Sequence, residues 1–239
     1  MYLHCLYAIF LLALSTSAWS AEDEEQEGPW AGKVVFGYLA TSGNTNNSSL
    51  NAAFEVSYKV EKWRHLLAAA AINATEGNAT TADAVEIAWK SERNLAQHNY
   101  LFGQLDWRED RFSGYETQFS QTVGYGRRLI DTDKHKFSVE IGAGARQSEL
   151  ADGSKESESI VRGGLHYVWK LSETASFTQV ATVESGRENT YTESVTALSA
   201  KLVGNLALVA SYTVKNNSDV PPLTEKTDTY TALSLEYLF

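Results

Sequence analysis

The chain has 239 residues, of which 43% are hydrophobic and 21% charged, with one cysteine and a formal net charge of -10 at pH 7. A negative balance of this size argues against nucleic acid as a partner. The only thiol is Cys5, so the chain beyond it supports neither a disulfide scaffold nor thiolate chemistry.

Residues 1–20 contain no Asp, Glu, Lys or Arg and carry the apolar run "LYAIFLLAL" followed by "STSAWS". This pattern predicts an export signal with an A-x-S cleavage site at Ala18 and Ser20. Its n-region, "MYLHC", is unusual in having only the α-amine and His4 for positive charge. Cys5 precedes the apolar run, which is not where an acylated lipoprotein cysteine would stand. Residues 21–29, "AEDEEQEGP", form an acidic periplasmic leader that reads first as a solvated tail, with a plug or docking peptide as the alternative. From residue 30 to residue 239 the composition is even, and one domain is predicted.

No later apolar run reaches the roughly eighteen residues that a spanning helix needs. The segments instead alternate with period two, and the breaks between them are rich in Gly, Asn, Asp and Ser. In one, Ala52, Phe54, Val56, Tyr58 and Val60 oppose Asn51, Glu55, Ser57 and Lys59. In another, Phe137, Val139, Ile141, Ala143 and Ala145 oppose Ser138, Glu140, Gly142, Gly144 and Arg146. Such segments number about twelve, each of roughly ten or more residues, enough to cross a bilayer at a tilt. They start near Trp30, Ser48, Trp63, Thr81, Asn99, Tyr115, His135, Ser157, Ala175, Tyr191, Leu206 and Lys226.

Long connections such as "TSGNTNN", "TEGNAT", "SELADGSKE" and "NNSDVPPLTEK" alternate with short ones such as "EK", "KLSE" and "GN", while "DRFSG" and "LIDTDK" fit the rhythm poorly. Short periplasmic turns and longer outer loops are the habit of membrane barrels with both termini in the periplasm. Outward-facing Tyr58, Trp63, Trp89, Tyr125, Phe137, Trp169 and Phe239 fall at one set of strand ends, and Tyr38, Trp107 and Tyr115 at the other. Two rings of aromatics make the interfacial girdle of such a barrel. The predicted fold is all-β, an antiparallel transmembrane β-barrel of about twelve strands. Hydrocarbon offers backbone groups no partner, so the sheet must close, and the last strand must pair with the first.

That last strand ends in "LSLEYLF", with Leu233, Leu235, Tyr237 and Phe239 on one face. A terminal phenylalanine behind alternating apolar residues resembles the signal by which the outer-membrane assembly machinery recognises its client barrels. Further phrases, "SGNT" at 42–45, "DRFSG" at 110–114, "GYGRRLIDTD" at 124–133, "IGAGAR" at 141–146, "TDT" at 227–229 and the final "LEYLF", resemble a family described as salt-induced outer membrane proteins, a domain of unknown function. The resemblance covers nearly the whole chain after the leader. It implies a barrel in the outer membrane of Gram-negative bacteria, and it carries over no catalytic residue.

The residues themselves point away from chemistry. His65, His98, His135 and His166 lack metal-ligand spacing, so no metal and no cofactor is expected. The "GYG" and "GAG" phrases open no helix and do not read as phosphate loops. No Ser and His pair faces outward where a lipid hydrolase would need one. The interior carries charges of both signs, among them Asp106, Arg108, Glu116, Arg128, Glu140, Arg146, Arg162 and His166. They read either as an internal ion-pair network or as the charged rungs of a selective passage. Inward Gly124, Gly126, Gly142 and Gly144 on neighbouring strands leave one lumen wall bare, which either leaves a passage or receives bulky side chains or a plug.

The expected function is that of a narrow passive channel for small solutes or ions, linked to osmotic or acid stress. A closed structural barrel is the alternative, and a lipid hydrolase a distant third. Expected partners are outer-membrane lipid, lipopolysaccharide and the assembly machinery, with the protein itself a monomer.

Overall fold

The computed structural model describes residues 28–41, 47–77, 79–222 and 224–239. The predicted export signal, residues 21–27 of the expected leader and the segment 42–46 lie outside the described residues. Twelve strands follow in chain order: β1 (Trp30–Thr41), β2 (Asn47–Val60), β3 (Trp63–Glu76), β4 (Ala79–Ala96), β5 (Asn99–Asp110), β6 (Tyr115–Asp131), β7 (His135–Leu150), β8 (Lys155–Lys170), β9 (Ala175–Ser185), β10 (Thr190–Val203), β11 (Leu206–Asn217) and β12 (Thr227–Leu238). Each pairs antiparallel with its neighbours in sequence, and β12 pairs with β1, so the sheet closes into a barrel. Among the described residues no helix is long and apolar enough to cross a membrane.

Closure is local. The β1–β12 ladder runs from Lys33↔Leu238 to Phe36↔Leu235. Beyond it, Gly32 and Phe239 exchange two backbone hydrogen bonds of 2.8 and 2.9 Å. The ladder between β6 and β7, by contrast, extends from Tyr115↔Leu150 to Asp131↔Lys136. Trp30 and Phe239 therefore stand at one end of the barrel, here called the inner end.

Inner-end turns are short, as expected, Glu61–Lys62 and Gly204–Asn205 being examples. Outer-end turns are tighter than the sequence rhythm suggests, because the strands run on into the polar stretches. β3 and β4 consume "TE" and "AT", and β7 and β8 leave only 151–154 between them. In that turn Gly153 takes φ +80°, and the Ser154 hydroxyl and amide hold the Asp152 carboxyl below its ordinary range. Among the described outer connections, only that between β11 and β12, 218–226, is long.

The alternation decides which solvent each side chain meets. Val34, Phe36, Leu67, Ile87, Val123, Ile141, Leu233 and Leu235 stand exposed on the outside. So continuous an apolar surface needs an apolar surrounding. At the inner end an aromatic belt covers it: Trp30 lies 4.5 Å from Tyr58, His65 stacks between Trp63 and Trp89, and His135 stacks on Tyr167 and Trp169. Tyr115 departs from the expected outer ring. A bulge between Tyr115 and Thr117 shifts the strand by one residue, turning Tyr115 inward, where it is 4% exposed. The same bulge leaves Glu116 exposed and outside the internal charges, correcting its expected place in the lumen.

Candidate functional site

Among the described residues, buried polar side chains converge in the lumen. Its inward rows form a chain of alternating charge along the barrel axis. At the inner end Arg64 and Arg128 approach Glu92 at 4.0 and 3.8 Å, and Lys90 approaches the same carboxylate at 3.3 Å. Lys90 also binds Glu140 across the lumen, from β4 to β7. Glu140 accepts a 2.8 Å hydrogen bond from the Tyr100 hydroxyl and pairs with Arg162 at 3.1 Å.

Further out, Glu184 is the hub. It is fully buried and lies 3.6 Å from Arg108 Nη1, 3.7 Å from Arg146 Nη1 and 3.8 Å from Arg162 Nε, with the Ser120 hydroxyl donating at 3.3 Å. Arg146, also fully buried, continues the chain to Glu158 at 2.6 Å and donates to the Asn189 carbonyl at 2.5 Å. Burial removes these charges from water, and their opposite neighbours offset that cost only while each pair stays whole.

Two of these contacts join strands four or more places apart in the barrel. Lys215 on β11 pairs with Glu86 on β4 at 2.5 Å, and Arg108 on β5 reaches Glu184 on β9 while lying 4.5 Å over the Tyr191 ring. Two cavities in this interior each have room for about one water, roughly 10 Å³. One is lined by Ser138, Glu140, Arg162 and His166, the other by Glu86, Asp106, Arg108 and Glu193.

The wall expected to be bare is covered. A Cβ on Gly126 would run into the Tyr100 ring, and one on Gly124 would stand 2.6 Å from Phe102 Cζ. A Cβ on Gly142 would stand 2.8 Å from the Val123 carbonyl oxygen, and one on Gly144 would collide with that of Gln121. Rings from β5 thus lie on part of the glycine surface of β6 and β7, and close backbone approach accounts for the rest. Lys90 and Arg128 lie 5.0 and 4.7 Å over those same rings.

The long outer loop folds over the mouth. The Tyr115 hydroxyl donates to the Asp219 carbonyl at 3.3 Å, and the Asp219 amide donates to Asn189 Oδ1 at 3.2 Å. Pro221 packs on Gly114, whose added Cβ would stand 2.7 Å from the prolyl Cδ. Gly114 follows β5 on the far side of the barrel from β11 and β12, so the loop crosses the opening.

Of the charged residues read as inward, Asp106, Arg108, Arg128, Glu140, Arg146, Arg162 and His166 all take part in this interior, and Glu116 alone does not. Asp106 accepts a 2.8 Å hydrogen bond from Gln104. The sequence reading passed over Glu92, Glu158, Glu184 and Arg64. The first three share the parity of Lys90, Arg162 and Thr182 on their own strands, a signal that was present. Arg64 opens "RHLLAAAA", which has no polar alternation from which to read a face.

Comparison with known proteins places this geometry. An uncharacterised Escherichia coli K12 protein, YdiY, is 32% identical over 97% of this chain and 93% of its own. Among solved structures, an outer membrane channel from Pseudomonas putida F1 matches with a TM-score of 0.53 at 9% identity, covering 89% of this chain and 96% of that one. The translocator domain of the autotransporter NalP from Neisseria meningitidis matches with a TM-score of 0.51 at 11% identity, covering 91% and 90%. These two likenesses establish a shared fold. The model of the family described as "Protein of unknown function, DUF481" matches residues 34–239, nearly the whole barrel, and the chain belongs to that family.

Proposed function

We propose that the protein is an outer-membrane barrel of a Gram-negative bacterium that acts as a narrow passive channel for small ions or solutes, held constricted by its internal charges. The observation that carries this reading is the unbroken axial chain of alternating charges, from Arg128 and Glu92 through Lys90, Glu140, Arg162 and Glu184 to Arg146 and Glu158. A barrel needing only rigidity could fill its interior with apolar side chains. Charged rungs of both signs provide successive exchange partners for a partly dehydrated ion. The shared fold with an outer membrane channel is consistent with this reading.

The exposed apolar surface and aromatic belt support a place in the bilayer, among lipid and lipopolysaccharide, with the inner end in the periplasm. Leu233, Leu235, Tyr237 and Phe239, all outward and exposed, are the features the assembly machinery would read. The protein works as a monomer, with no catalytic residue, metal, cofactor or nucleic-acid partner. A link to osmotic or acid stress is tested by growth of a deletion strain at high salt and at low pH.

A second reading, a sealed barrel without transport, is favoured by the wall-to-wall Lys215–Glu86 bridge and the water-sized cavities. Planar-bilayer recording of the folded protein separates the two. Small discrete current steps are expected, and their absence across the voltage range assigns the sealed barrel.

A further inference from the structure

The two mouths of the barrel carry opposite charge. At the inner end the inward rows terminate in Lys59, Arg64, Arg128, Lys170 and Lys201. The carboxylate Glu92 lies among them, bound to Arg64 and Arg128, Glu55 and Glu236 are held by Lys33 at 4.0 and 3.6 Å, and Glu61, Asp131, Asp133 and Glu173 stand on or beside the turns. At the outer end the residues around the mouth are mainly acidic, with Glu156, Glu158, Glu188, Asp219 and Asp228 close to the opening. The long-range field of the inner mouth is that of a cationic funnel.

The chain enters the barrel at this same mouth. The Pro29 carbonyl accepts a 2.8 Å hydrogen bond from the amide of Lys59, which fixes the preceding residue, Gly28, beside the cationic ring. Immediately before it come Glu22, Asp23, Glu24, Glu25 and Glu27, with no basic residue among them. A segment of six residues spans at most about 20 Å, enough to reach into the mouth from a fixed Gly28. At that range the effective concentration of carboxylates over the ring is on the order of millimolar or higher, so weak pairings suffice.

We propose that the acidic leader, residues 22–27, docks on the cationic inner mouth of its own barrel, its carboxylates meeting Lys59, Lys170 and Lys201. The assignment rests on complementary charge, the anchored Pro29 and the short tether, and it does not depend on whether the barrel conducts. It replaces the simpler picture of a solvated tail.

The test is zero-length carbodiimide coupling, which joins a carboxylate to an amine only when the two touch, on the exported, folded chain in detergent micelles. Peptide mass spectrometry is expected to find amide bonds from the leader carboxylates to Lys59, Lys170 or Lys201 of the same chain. At 1 M salt their yield should fall by about fivefold or more, because screening then acts within roughly 3 Å. The variant with Glu22, Glu24, Glu25 and Glu27 changed to Gln and Asp23→Asn leaves the barrel untouched and should lose these links. Leader carboxylates that react only with an added small amine, or that join different chains, overturn the proposal. So do links confined to the turn lysines Lys62 and Lys134. The readout involves no current, so a silent bilayer recording leaves it intact.

Discussion

Two regions of one lumen are filled in different ways. Around Gly124, Gly126, Gly142 and Gly144 the inner surface has no side chains of its own, and the Phe102 and Tyr100 rings from β5 pack onto it. Around Glu184 the surface is crowded with charge, and three guanidinium groups neutralise one carboxylate from three strands. The first region is held by shape and tolerates no added volume. The second is held by electrostatic pairing and tolerates no lost partner. An interior of this kind can be opened by removing charges in pairs, whereas the glycine wall can only be broken.

The sharpest break should come at the hub. Glu184→Ala takes from Arg108 its ion-pair partner, leaves Arg146 and Arg162 with only Glu158 and Glu140, and breaking a buried pair this way costs about 3–5 kcal/mol. Urea unfolding in lipid vesicles should show the loss, with Glu184→Gln milder than Glu184→Ala. The shape-held wall should respond next. Gly126→Val drives a branched side chain into the Tyr100 ring, and overpacking of this sort costs roughly 1–3 kcal/mol. The companion change Tyr100→Ala should relieve part of that cost, and no relief would contradict the ring-on-glycine packing.

A smaller effect is expected at the seam. Removing Phe239 deletes its two backbone hydrogen bonds with Gly32, each worth about 1 kcal/mol net. Heat-modifiable gel migration should then show a lower melting temperature, and the yield of barrel in the outer membrane should drop. Smallest of all, Tyr115→Phe removes one hydrogen bond to the loop over the outer mouth, worth about 1 kcal/mol or less, and should raise proteolysis of that loop without changing barrel stability.

The comparison also explains what could be read in advance. All twelve strand starts were legible within about two residues, because period-two alternation and turn residues are local signals. The inward glycines were legible for the same reason, but their covering was not. Tyr100 and Phe102 share the parity of Asp106, yet parity says which solvent a ring faces and not which neighbouring strand it leans on. The bulge at Tyr115 reversed one aromatic and one carboxylate, since an extra residue at the start of β6 swaps the faces of the residues before it and leaves little mark in composition. Lys215–Glu86 and Arg108–Glu184 join strands far apart in the sheet order, and only closure brings them together. Pairings of that kind belong to the barrel as a whole rather than to any segment of it.

The claim that internal ion pairs constrict a conducting passage is met most directly by comparing single-channel currents of the native protein with those of the double variant Glu86→Gln, Lys215→Gln. Neutralising both ends of the bridge removes the attraction that draws β4 and β11 side chains together across the centre. The account predicts larger and more frequent current steps in the variant at equal protein density. Identical currents in the two proteins, or silence in both, would contradict it.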